Sequence, residues 1–170
     1  MNKKENGFLK VLRYFLLTCV ISIGFISIVA TGGGGEEDAE ITPLDIENRV
    51  YNLANQHRTQ IGLEELKWRK IIAVQCRKHS QDMAEGRTGF GHGGFSERVE
   101  NIRKEITFAS ASELVAYNYG YADPAEAVVT GWLGSTWHRE QIEGDYDLIG
   151  VGVFKNGQGI YYFTQILIRL

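Results

Sequence analysis

The sequence predicts an α+β domain with its helices and strands in separate layers. Three observations carry this prediction. Two segments open with strong helix-start chemistry, Thr42-Pro43-Leu44-Asp45 and Asp123-Pro124-Ala125-Glu126. The chain closes on two apolar, β-branched and aromatic runs joined by KNGQG, the pattern of an antiparallel hairpin. The helices alternate irregularly with the strands, and no glycine-rich phosphate loop opens a helix after a strand, which argues against a doubly wound nucleotide-binding sheet.

Thr42 caps the first helix, Pro43 takes its first position and Asp45 places an acid in the first turn. Ile46, Val50, Leu53, Ala54 and His57 then recur at helical spacing, and Gly62 ends the run. A second helix is predicted over 69–85, with Ile72, Val74, Cys76 and Met83 turned inward. A glycine-rich loop, 86–94, follows; it cannot form a regular element and leaves His92 free to point into a cavity. Residues 95–102 suit a short helix and 112–119, SELVAYNY, a strand. The helix opened by Asp123 carries Val128, Val129 and Trp132 into GWLGSTWHREQI, residues 131–142. There Gly134 and Ser135 interrupt the helix and re-aim the chain, so His138 sits just past a turn on a rigid support. Strands over 148–154 and 160–168 complete the fold.

A length of 170 residues supports one domain and a leader, and a net charge of −3 with no basic stripe after residue 40 excludes a dedicated nucleic-acid binder. Lys3, Lys4, Lys10 and Arg13 precede an apolar run from Tyr14 to Ala30, the order of a signal peptide or signal anchor over residues 1–31. Residues 32–41 form a glycine-rich acidic tether to a domain at 42–170. The tether resembles the start of a mature bacterial lipoprotein, but Thr31 stands where the lipid-bearing cysteine would be, and Cys19 is a poor substitute. An exported protein, secreted or held at the membrane by this segment, is expected, with a monomer as the default state. Cys19 and Cys76 are not expected to meet, and Cys76 reads as a small buried hydrophobe.

His92, Glu113 and His138 are ligand-type residues on three different elements. Two imidazoles and a carboxylate can hold zinc or calcium with an open position, or line a polar cleft for a ligand; they can equally be solvated or hydrogen-bonded side chains. His57 and His79 lie on helix patterns and read as packing or surface residues. Trp132, Trp137, Tyr117, Tyr119 and Tyr121 read as core and cleft wall ahead of a sugar platform. Ser135 lies near His138, but no strained nucleophile elbow surrounds it.

The ordered series NLANQHRTQIGLEELKW, AVQCRKHSQDMA, GHGGFSER, SELVAYNYG, GWLGSTWHREQI, IGVGVF and YYFTQILI resembles the bacterial branch of the CAP superfamily. That superfamily groups cysteine-rich secretory proteins, antigen 5 and pathogenesis-related 1 proteins, and the resemblance spans Pro43 to Leu170. It implies a three-layer α-β-α sandwich around an antiparallel sheet, with a central cleft of two histidines and two acids. On that resemblance His92, Glu113 and His138 take three of the four places, and Ser135 stands where other members carry the second acid. Leu114 and Gln141 replace asparagines of the family pattern, and its disulfides are absent. The expected function is binding of a small-molecule, lipid or envelope ligand, or of a divalent metal, in that cleft. The alternatives are a metal-assisted hydrolase acting through Glu113 and His138, and an envelope interaction module.

Overall fold

The computed structural model describes residues 41–170. The expected leader, most of the tether and Cys19 lie outside the described residues. Among the described residues no helix is long and apolar enough to cross a membrane. The elements run α1 (Pro43–Gln60), β1 (Lys67–Trp68), α2 (Lys70–Ala84), α3 (Phe95–Arg103), β2 (Ser110–Asn118), α4 (Pro124–Gly134), α5 (Thr136–Ile142), β3 (Leu148–Lys155) and β4 (Tyr161–Arg169).

Local chemistry sets the helix starts. The Thr42 hydroxyl accepts from the Asp45 N–H while the Asp45 carboxylate accepts from the Thr42 N–H, a complete capping box. Asp123 Oδ1 accepts from the Glu126 N–H at 3.0 Å, and Oδ2 takes the Arg49 guanidinium of α1. One carboxylate thus starts α4 and ties it to α1. Asp123→Ala is expected to cost about 1 to 2 kcal/mol, read as a shift in the urea midpoint at unchanged slope.

The sheet order is β1-β3-β4-β2. The hairpin β3–β4 forms the centre, and Asn156 closes its turn by accepting from the Gln158 and Ile160 N–H groups. The two outer strands join it in different senses: β2 pairs antiparallel with β4, but β1 pairs parallel with β3. The sheet is therefore mixed, a correction to the antiparallel expectation. The two-residue β1 is too short to leave a sequence period of its own.

Side-chain alternation divides the sheet into two faces. Ile149, Val151, Val153, Phe163, Leu167 and Leu114 pack against Ile46, Val50 and Ala54 of α1 and against Val128, Val129 and Trp132 of α4. Ile166, Ile168 and Leu148 pack on the other face against Ile72 and Cys76 of α2 and Ile102 of α3. The result is the expected three-layer α-β-α sandwich. Val74, expected to be buried, is 42% exposed, because it falls on the outer side of α2.

On the second face, Gly150 and Gly152 let α2 rest directly on β3. A Cβ at Gly150 would collide with the Ala73 nitrogen, and one at Gly152 would collide with the Arg77 nitrogen. Small polar side chains exploit this approach: Cys76 Sγ donates to the Gly150 carbonyl at 3.3 Å and Ser80 Oγ to the Gly152 carbonyl at 2.9 Å. Burial pushes the Cys76 thiol well above its usual range, so this thiol is inert in the folded protein.

Arg58 and Glu47 fasten the helices elsewhere. The buried Arg58 guanidinium donates to the carbonyls of Glu64, Ile142 and Gly144, closing the end of α5 onto α1. Glu47 holds Arg77 through a forked ion pair and accepts from the Val153 N–H at 3.1 Å.

Candidate functional site

Two neighbouring environments are built around the open edge strand β2. The first is an acid cluster on the α2–α3 side. Glu113 pairs in register with Ile166, so it points to that face, and its side chain is 1% exposed. Phe95, Arg98 and Ile102 recur along one side of α3, and this turns the Arg98 side chain inward, leaving it 9% exposed. Arg98 grips Glu113 with two hydrogen bonds, Nε to Oε2 at 2.8 Å and Nη2 to Oε1 at 2.7 Å. Its remaining Nη1 donates to the Gly93 carbonyl at 2.8 Å.

His92 joins this cluster from the glycine-rich loop. Its Nδ1 lies 3.0 Å from Glu113 Oε1, and its ring is 56% exposed. A carboxylate can only accept, so in this pair His92 Nδ1 is the donor and Nε2 is without the proton. His79 of α2 fixes the loop from behind, donating from Nε2 to the Gly91 carbonyl at 2.7 Å. Expected only to pack or to lie on the surface, His79 is 2% exposed and positions the loop that carries His92.

Burial holds His79 below the usual histidine range, against the raising effect of its Gly91 hydrogen bond. A histidine depressed on folding takes up its proton more readily when unfolded. Its contribution to stability is full above the unfolded pKa of about 6.5 and is lost as the pH falls below it. Thermal unfolding is thus expected to move to lower temperature between pH 7.5 and 5.5. His79→Asn should flatten this dependence.

The second environment is a cleft of about 450 Å³ beside the edge strand, between β2, α4 and α5. Four consecutive β2 residues, Val115 to Asn118, line it, as only an uncovered strand edge allows. Trp132 forms an apolar wall, Ser135 and His138 supply polar groups from the α4–α5 junction, and Phe90, Tyr117 and Tyr121 present aromatic rings. Ser135, at the junction, ends α4 and precedes α5, so the Gly-Ser break places His138 as expected. Trp132 is 3% exposed, whereas Trp137, expected in the core or the cleft wall, is 68% exposed. The short interval after Ser135 rotates Trp137 away from the packed face.

The four expected site residues therefore separate into two sets. His92 and Glu113 meet, while Ser135 and His138 line the adjoining cleft without them. Among the described residues no group of three or more His, Cys, Asp or Glu side chains is placed to hold a metal ion. A zinc or calcium ion on Glu113 would have to displace two hydrogen bonds from a buried guanidinium that already neutralises the carboxylate. As placed, the three expected ligands His92, Glu113 and His138 do not form such a group. The residue that sequence reasoning missed is Arg98. Its signal is present in the chain: an arginine on the apolar side of a short helix, between Phe95 and Ile102, requires a buried acid.

The protein is thus a small α-β-α sandwich with a cleft at one edge of its sheet. Residues 51–167 match the family model CAP, the cysteine-rich secretory protein family, and the chain belongs to that family. Among solved structures it is similar to an outer surface protein of Borrelia burgdorferi, at 22% identity over 76% of this chain and 96% of that one, with a TM-score of 0.65. It is also similar to an extracellular SCP-domain protein of Bacillus anthracis, at 25% identity, covering 82% of this chain and 45% of that one, with a TM-score of 0.64. A cysteine-rich secretory protein of Staphylococcus aureus is 18% identical over 76% of this chain and 40% of its own, with a TM-score of 0.61. The chain thus spans less than half of the Bacillus and Staphylococcus proteins. No curated protein matches it.

Proposed function

We propose that this is an exported CAP-domain protein, held at the cell envelope by its N-terminal segment, that works by binding a small ligand in the cleft beside β2. The observation that carries this reading is the contrast between the two environments. The acid cluster spends its charges on itself: Arg98, Glu113 and the Gly93 carbonyl satisfy one another. In the cleft, among the described residues, neither the Ser135 hydroxyl nor the His138 ring has a hydrogen-bond partner. Polar groups held ready in a concave, partly apolar site are what a ligand requires. Export is supported by the basic-then-apolar leader and by the extracellular Bacillus relative.

A fragment titration followed by heteronuclear NMR tests the reading. Small uncharged fragments are expected to move the Trp132 indole and His138 signals while leaving those of His57 unchanged. A library that perturbs no cleft residue would overturn it.

Hydrolysis is the second reading, and one observation favours it. Glu113 holds His92 by Nδ1, which presents Nε2 as a general base. Glu113 itself, buried and gripped by Arg98, is not free to abstract a proton. On this reading His92→Ala, at a ring that is 56% exposed, should abolish hydrolysis of an activated ester such as p-nitrophenyl acetate with the fold intact. Equal rates in parent and variant would dismiss it.

A further inference from the structure

Resting on the cleft-binding reading, the geometry points to a specific ligand class: we infer that the cleft beside β2 takes a neutral, hydroxyl-rich ligand of the saccharide type. Three features of the cleft argue for it.

The first is the distribution of aromatic rings. Large aromatic side chains are normally buried, because each removes a large apolar area from water. Here Phe90 is 54% exposed, Tyr117 59% and Tyr121 61%, and all three line the cleft. Tyr119 and Trp137, each 68% exposed, are chain neighbours of lining residues. Three of the five exposed large aromatics among the described residues therefore line this one cleft. Phe90 and Tyr117 meet edge to face at 5.1 Å, and Tyr117 packs on Tyr162 at 5.9 Å, so the rings support one another. A pyranose ring has one face of axial C–H groups that lies flat on an aromatic face. Rings held apart from a core, and held still, suit that contact.

The second is charge. No lining residue is Asp, Glu, Lys or Arg. Phosphate and carboxylate headgroups call for arginine or lysine, or for a helix N-terminus. The lining carries no arginine or lysine, the one helix that starts at it, α5 behind Ser135, has only seven residues, and the neighbouring Arg98 is already committed to Glu113. A charged ligand would enter without compensation, whereas a neutral one loses nothing.

The third is hydrogen bonding. Ser135, the His138 ring and the hydroxyls of Tyr117 and Tyr121 have no hydrogen-bond partner among the described residues. Deeper in the wall, the Trp132 indole N–H and Asn118 Oδ1 are buried and equally without partner. A hydroxyl donates and accepts at once, so a polyol matches a mixed set of this kind, where an aliphatic chain would leave every one unmet. An alkyl chain is also better served by an enclosed aliphatic channel. Apart from Val115 and Val128, the larger apolar groups here are aromatic.

The test is isothermal titration of the full-length chain with neutral oligosaccharides, chitotetraose, cellotetraose and maltotetraose, beside sodium oleate as an aliphatic probe. At least one oligosaccharide is expected to bind saturably at millimolar or lower concentration. Tyr117→Ala and Tyr121→Ala should each weaken it about tenfold, the size of a typical anchor residue's effect. His57→Gln, remote from the cleft, should leave it unchanged. Both tyrosines are more than half exposed, so their removal spares the core.

Oleate binding in the cleft without saccharide binding would overturn the ligand class while keeping the cleft as a binding site. Saccharide binding unchanged in both tyrosine variants would overturn the inference as well. If no sugar binds, yet uncharged fragments still shift Trp132 and His138, the saccharide class falls and the cleft reading stands. If neither sugars nor fragments bind, both fall.

Discussion

Gly152→Ala is expected to be the most damaging single substitution in the domain. The added methyl would collide with the Arg77 nitrogen and the Cys76 carbonyl carbon and lie 2.6 Å from the Arg77 Cα, all of them α2 backbone. No side chain can rotate to make room. The helix must lift from β3, opening the contacts of Ile72, Cys76 and Ser80 with the sheet. Overpacking commonly costs about 1 to 3 kcal/mol where side chains can adjust. Where only a helix can move, a loss above about 3 kcal/mol is expected, roughly 10 °C in melting temperature for a domain of this size. Gly157→Ala is the control, since a Cβ there meets nothing within 4 Å. Equal melting temperatures for Gly152→Ala and parent would show that α2 does not rest on the β3 backbone.

Arg98→Met follows close behind. It leaves the Glu113 carboxylate, 1% exposed at its side chain, without its counter-charge, and it frees the Gly93 carbonyl. Removing one partner of a buried ion pair typically costs about 3 to 5 kcal/mol, most of it the penalty on the stranded charge. The double variant Arg98→Met, Glu113→Leu should recover much of that loss, because neither charge is then buried alone. Urea unfolding of the two single variants and the double variant measures the coupling directly. Additive losses would mean that the pair does not act as a unit.

These two predictions rest on features of very different legibility. Helix starts at Thr42 and Asp123 can be read from four residues each, because a cap is a contact between near neighbours. The β3–β4 hairpin is equally local, closed by Asn156 within its own turn. The cleft residues Ser135 and His138 are found through the Gly-Ser break, again a local signal. Glu113 gripped by Arg98 is a contact between a strand and a helix 15 residues apart, and its existence depends on how α3 is rotated against β2. Residue type shows that Arg98 needs an acid but cannot say which. Likewise His92, Glu113 and His138 stand out in the sequence as polar groups, yet nothing in their spacing shows that Arg98 holds Glu113. The roles of Gly150 and Gly152 are hidden for the opposite reason. A glycine in a strand has no side chain to betray its partner, and only the position of α2 reveals why nothing larger fits.

The sheet order also has a consequence for the sequence of events in folding. Its two central strands are the last in the chain, and β1 and β2 contact no strand except those two. During synthesis, or passage through a membrane in the same direction, α1 through α5 emerge while no strand among them has a partner. The helices have only one another to lean on until Leu148 to Arg169 appear, and then all the pairing becomes possible at once. A chain stopped at Asp147 would have no sheet of this kind to form. Residues 148–170 are therefore the commitment step, and a nascent chain that has not yet reached them would present its apolar surfaces to chaperones and proteases.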